Sequence, residues 1–150
     1  MTQFVSVEAL LDEARSRIER LSPAEARERQ RSGAQLVDIR PAWQREADGE
    51  IPGALIVERN HLEWRLHPGS GASLAMADEV DRWIVVCTEG YTSSLAAAAL
   101  CSLGIVAADI DGGLRAWEAA GLPVSSTVTA VEEVVPARAA GGECEVGDRA

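Results

Sequence analysis

Cys87 stands between two runs of opposite character. Before it, Ile84-Val85-Val86 is β-branched and apolar, the pattern of a buried strand. After it, Leu95 to Leu100 is a run of good helix formers. The intervening residues are Thr88, Glu89, Gly90, Tyr91, Thr92 and Ser93. A cysteine at the carboxyl end of a strand, ahead of a short loop and a helix start, is placed to act as a nucleophile. Ligands of open α/β sheets bind at the carboxyl ends of the strands. A helix N-terminus offers unpaired N–H groups and partial positive charge, which stabilise a thiolate. Gly90 lets the loop curl so that its N–H groups converge as an anion nest. The plainer alternative is a free cysteine that fills a strand end, since free cysteine is among the most buried residue types.

Other candidates lie at the ends of neighbouring strands. Arg40 closes the apolar run Gln35-Leu36-Val37-Asp38-Ile39 and reaches the Cys87 edge if the two strands are parallel neighbours. The competing reading is a structural ion pair of Arg40 with Asp38. Arg59 and His61 follow a third apolar run, Ile51 to Val57, as secondary sources of positive charge, with Arg65 beyond them. Each is as readily a surface residue. Trp43, Trp64, Trp83 and Trp117 read as core anchors, and Tyr91 as a loop-tip residue open to contact with substrate. Cys101 lies about 12 Å along a helix past Ser93, too far to resolve an oxidised Cys87.

The elements that must position these residues alternate. Val7, Leu10, Leu11, Ala14 and Ile18 give a helical stripe over residues 6–20, with Ser6 as its cap. Ser22-Pro23 opens a second helix, which Gly33 ends. Strands follow at residues 35–40, 51–57, 84–86 and 105–110. Short helices are expected at 43–50, 62–66, within 74–83 and at 114–120, besides the long one after Ser93. Strands alternating with helices give an α/β fold with a mostly parallel sheet covered on both faces. From Ser125 the periodicity stops, and residues 125–150, which include Cys144, read as a mobile tail.

The chain has 150 residues, enough for one domain, and a formal net charge of −10. That charge argues against nucleic acid and anionic membrane surfaces as partners. No run is long enough to span a bilayer, the start does not read as a signal peptide, and three widely spaced cysteines do not form a disulfide framework. The expected setting is a reducing cytoplasm.

Three stretches, in order, resemble the rhodanese homology domain. Leu36-Val37-Asp38-Ile39-Arg40 with Gly49-Glu50-Ile51-Pro52-Gly53-Ala54 is similar to the family's first signature, VDxR then GHIPGA. Val85 to Ser93 is similar to its active-site loop, which usually reads CRxGxRS. Gly112 to Val124 is similar to its closing signature, GGxxxWxxxGxPV. The resemblance implies a three-layer fold with a five-stranded central sheet over residues 22–124, preceded by an amphipathic helix in residues 1–21. It also implies sulfur transfer. Cys87 would take sulfane sulfur from a small-molecule donor or a partner protein's persulfide, and pass it to a thiol or cyanide. The loop Thr88–Ser93 and Arg40 would form the binding site, with neither cofactor nor metal. A monomer or a homodimer fits equally.

The loop departs from the family pattern. Its two arginines are Thr88 and Thr92 here, and Glu89 adds negative charge. Two hydroxyls do not replace an arginine fork for a sulfonate. Thiosulfate is therefore expected to be a weak donor. Two rival readings stand beside the enzyme. One is a weak or inactive rhodanese-like module that binds or senses redox state. The other is a cysteine phosphatase, whose loop requires an arginine where Ser93 stands.

Overall fold

The computed structural model describes residues 3–130. Helix α1 (Val7–Ser16) starts where the Ser6 hydroxyl accepts the Ala9 N–H, 3.0 Å away. It stops four residues short of the expected end. Strand β1 (Glu19–Leu21) then pairs in parallel with β5 (Ala107–Ile110). Pairing with the sheet overrides the helical stripe here because Leu21 is wholly buried and Arg20 reaches a carboxylate on β5. The last three residues of the 1–21 segment are thus part of the central sheet.

Helix α2 (Pro23–Arg31) opens with a complete capping box between Ser22 and Glu25. Strand β2 (Gln35–Asp38), helix α3 (Ala42–Asp48) and strand β3 (Leu55–Ile56) follow. Both strands are shorter than their apolar runs. A 3-10 turn, Arg59–His61, leads into helix α4 (Leu62–Leu66). Residues 74–82 form turns where a short helix was expected. Strand β4 (Trp83–Val86) leads to Cys87, helix α5 (Thr92–Ser102) follows the loop, and α6 (Gly113–Ala119) follows β5.

The five strands are all parallel, in the order β1-β5-β4-β2-β3, which puts β4 at the centre. Strand alternation divides the core in two. Trp83, Val85 and Cys87 face one side, where they pack with Ala96, Ala97 and Leu100 of α5 and Leu62 and Leu66 of α4. Ile84 and Val86 face the other, with Ala26 of α2 and Leu114 and Trp117 of α6. The Cys87 side chain therefore points toward the start of α5. Trp83 and Trp117 are the expected core anchors, whereas Trp43 and Trp64 are 67% and 57% exposed.

The segment read as a mobile tail begins anchored. Ser125 bridges Glu50 through two backbone hydrogen bonds of 2.7 and 2.8 Å. The Thr129 hydroxyl donates to the Glu50 carboxylate at 2.7 Å, as does its N–H at 3.0 Å. Arg45 of α3, 1% exposed, donates to the same carboxylate at 2.7 Å and to the Thr129 carbonyl. Cys144 lies outside the described residues. No helix among those residues is long and apolar enough to cross a membrane.

Burial opposes ionisation of Glu50, but the Thr129 hydrogen bonds and Arg45 outweigh it and hold the carboxyl below its ordinary 4.5. Its stabilisation is complete above about pH 4.5 and is lost as pH falls through the lowered folded-state value. Glu50→Ala strands a buried guanidinium, so it should cost about 3 kcal/mol at neutral pH. Urea unfolding of both proteins should show that gap narrowing steadily below about pH 4.5.

Candidate active site

The loop after β4 turns its carbonyls outward and its N–H groups inward. The Gly90 N–H donates to Cys87 Sγ at 3.2 Å and the Ser93 N–H at 3.4 Å. Outside, the first turn of α6 binds the loop's back. The Leu114 N–H donates to the Cys87 carbonyl at 2.9 Å and the Arg115 N–H to the Thr88 carbonyl at 3.1 Å. The Gly90 carbonyl accepts from Arg15 Nη2 at 2.8 Å and Arg20 Nη2 at 2.9 Å. Gly90 has φ +86°, the left-handed conformation this curl needs.

Behind the loop, Asp109 of β5 is completely buried. Its carboxylate accepts from the Ser93 hydroxyl at 2.8 Å, the Ser94 hydroxyl at 2.7 Å and Arg20 Nε at 3.0 Å. The residue that gives its N–H to the sulfur is thus tied by its side chain to the neighbouring strand. Such a carboxylate is stable away from water only when it is paired and hydrogen-bonded.

Cys87 is 7% exposed and opens into a cleft of about 330 Å³. Thr88, Glu89, Tyr91 and Thr92 line it, as expected from the loop, and Trp43, Gln44 and Asp48 of α3 with Arg115 of α6 complete it. Gln44 accepts the Thr88 hydroxyl at 3.0 Å. Glu89 pairs with Arg115 at 3.5 Å, both more than half exposed, so part of the negative charge expected to oppose the thiolate is offset at the surface. Trp43 forms part of the cleft wall and is no core anchor.

Three expected residues do not join the site. Arg40 is 1% exposed and turned inward, in a two-point pair with Asp38 of 2.7 Å at its shortest and a 2.6 Å bond to the Gly49 carbonyl. It is the structural pair of the competing reading. Arg59 pairs with Glu63 one turn away at 2.6 Å and borders a separate groove with Ile39 and Pro41. His61 sits beside it at the exposed end of the 3-10 turn and does not line the cleft. Cys101 gives its thiol to the Ala107 carbonyl at the amino end of β5, the opposite edge of the sheet from Cys87. Among the described residues, no group of His, Cys, Asp and Glu side chains converges as a metal site.

Sequence reasoning missed Arg15 and Arg20, whose contacts with the loop cross 75 and 70 residues. It also missed Gln44, Asp48 and Arg115. No local motif carries these positions. The acidic partners of Arg20 and the basic last turn of α1 were the only available signals.

Comparison with known proteins fits this geometry. The family model for the rhodanese-like domain matches residues 22–120. A Rhodopseudomonas palustris protein of unknown function, described as a possible tyrosine phosphatase, is 35% identical, with a TM-score of 0.75 over 83% of this chain and 99% of that one. A thiosulfate sulfurtransferase from Pseudomonas aeruginosa is 25% identical with a TM-score of 0.57, over 74% of this chain and 20% of that larger one. A rhodanese-like domain protein from Staphylococcus aureus shares the fold at 23% identity and a TM-score of 0.54, over 72% of this chain and 99% of that one. No curated protein sequence matches the chain.

Gly113 fixes how closely α6 approaches the loop. At φ +60°, a Cβ there would lie 2.5 Å from the Cys87 carbonyl and 2.7 Å from that of Thr88. Gly113→Ala should push α6 off the loop, lower stability by about 2 kcal/mol or more, and expose Cys87 to faster labelling by a bulky maleimide. Thermal melts and labelling kinetics check both.

Proposed function

The chain belongs to the rhodanese-like domain family, and we propose that it is a sulfurtransferase carrying sulfane sulfur on Cys87. The carrying observation is the pair of N–H donors on Cys87 Sγ, in a nest at the start of α5 and open to a cleft. Such a nest stabilises an anionic sulfur, whether thiolate or persulfide.

In the first step the Cys87 thiolate attacks the outer sulfur of a donor persulfide, R–S–SH. A new S–S bond forms to Cys87, the donor's S–S bond breaks, and R–S⁻ departs with the electron pair. In the second step a thiol or cyanide attacks the outer sulfur and returns the Cys87 thiolate. The transferred sulfur keeps its oxidation level, so neither step needs an outside oxidant or reductant.

The donor is a persulfide on a small thiol or on a partner protein, and thiosulfate is weak. Thr88 and Thr92 give the cleft hydroxyls where an arginine fork would grip a dianion, and Asp48 and Glu89 line the same cleft. Arg115 is already shared with Glu89. The mouth between exposed Trp43 and Tyr91 suits an organic group better than an inorganic oxyanion.

The Rhodopseudomonas palustris neighbour raises a phosphatase reading. Against it stands Ser93. That side chain is buried on Asp109, at the position where a Cys-x5-Arg loop holds its phosphate-gripping arginine.

Mass spectrometry of the intact protein after brief exposure to glutathione persulfide should show one added sulfur, absent in Cys87→Ser and released by cyanide. Thiosulfate should load it at least about tenfold more slowly, the cost of one lost charge-assisted contact. No uptake from any sulfane donor by folded protein would move the reading to a binding or sensing module. Cys87-dependent hydrolysis of a phosphate ester would move it to a phosphatase.

A further inference from the structure

The loop lacks its own arginines, yet two guanidinium groups meet it from behind. Arg15 near the end of α1 and Arg20 in β1 both donate to the Gly90 carbonyl. Both lie ahead of residues 22–120, the part matched by the family model. Arg15 also donates to the Ser94 hydroxyl at 3.1 Å and lies over the Tyr91 ring, 5.6 Å from its centroid. Besides Gly90, Arg20 holds Asp109 and Asp111.

The consequence follows from the peptide group. The carbonyl of Gly90 and the N–H of Tyr91 belong to one amide. No peptide bond among the described residues is cis, so the two groups point in opposite directions. Fixing the carbonyl outward aims the Tyr91 N–H inward, toward the side where the Gly90 and Ser93 N–H groups already meet Sγ. The Tyr91 N–H has no protein acceptor among the described residues. Gly90 at φ +86° followed by Tyr91 at φ −94° is the alternation of hand that builds an anion nest. Charge-assisted bonds to the carbonyl also polarise the amide and strengthen its N–H as a donor.

We propose that Arg15 and Arg20 are positioning residues, which clamp the Gly90 carbonyl so that the Tyr91 N–H serves the anionic sulfur at Cys87. The proposal rests on the sulfurtransferase reading only for the identity of that anion as a persulfide; a thiolate uses the same clamp. The segment ahead of the family's match thereby becomes part of the working site. Positive charge absent from the face of the loop is supplied through its backbone.

Arg15 is the residue to test, because Arg20 also neutralises buried Asp109. Arg15 is half-buried and makes no ion pair among the described residues, so Arg15→Gln is expected to leave the fold standing. The probe is iodoacetamide alkylation of Cys87 across pH, with Cys87→Ser subtracting the other thiols. Beside it runs the lifetime of the sulfur loaded from glutathione persulfide. Arg15→Gln should slow alkylation about fivefold near pH 6.5 and move the rise of the pH profile to higher pH. It should shorten the persulfide lifetime by a similar factor, and Arg15→Lys should recover at least about half of each loss. A wild-type pH profile in Arg15→Gln, whether or not its Tm falls, would overturn the proposal. If wild-type protein takes up no sulfur but the alkylation profile still shifts, the clamp stands on the thiolate and only the persulfide reading falls.

Discussion

Asp109 carries a carboxylate into a place with no access to water, and the surrounding structure is arranged to satisfy it. Two serine hydroxyls and one guanidinium do so. Each of these partners also does something at the loop. Ser93 gives its N–H to the Cys87 sulfur, the Ser94 oxygen accepts from Arg15 at the back of the loop, and Arg20 binds the Gly90 carbonyl. Removing a partner from a buried charge is costly, so the demand of one carboxylate holds the curl of the loop in place. The central strands deliver Cys87 to the edge, and Asp109 fixes what meets it there.

The same logic explains why α1 and β1 are built as they are. A three-residue strand is a weak element alone. It is held because Leu21 fills the core and Arg20 completes the charge on β5. Helix α1 then packs on α5, the helix whose N-terminus faces the sulfur, and brings Arg15 to the loop. On the other side, α3 closes the cleft and is fastened through Arg45, Glu50 and Thr129. The back of the loop and the α3 wall of the cleft are thus each secured by a buried carboxylate paired with an arginine.

Much of this was legible in the sequence. The β-branched run before Cys87, Gly90 and the alanine-rich helix carry local patterns that the structure follows closely. The doubled glycine of the closing signature is required by close approach, as the contacts at Gly113 demonstrate. What was not legible depends on direction and distance along the chain. Arg40 reaches the expected edge, but its side chain turns back onto Asp38, and strand position alone does not fix that choice. Trp43 belongs to a seven-residue helix too short for its periodicity to show which face is covered. Strand β1 overlaps the end of a convincing helical stripe, and only pairing with a strand near residue 108 reveals it.

On the proposed reading, the backbone N–H groups of this loop act together on an anionic sulfur at Cys87. Proton–nitrogen correlation spectra of labelled protein, recorded as Cys87 ionises and again after sulfur loading, test it directly. The Gly90, Tyr91 and Ser93 amide protons should move downfield together, and Cys87→Ser should abolish the movement. Amide signals that stay fixed while the thiol ionises and takes up sulfur would contradict it.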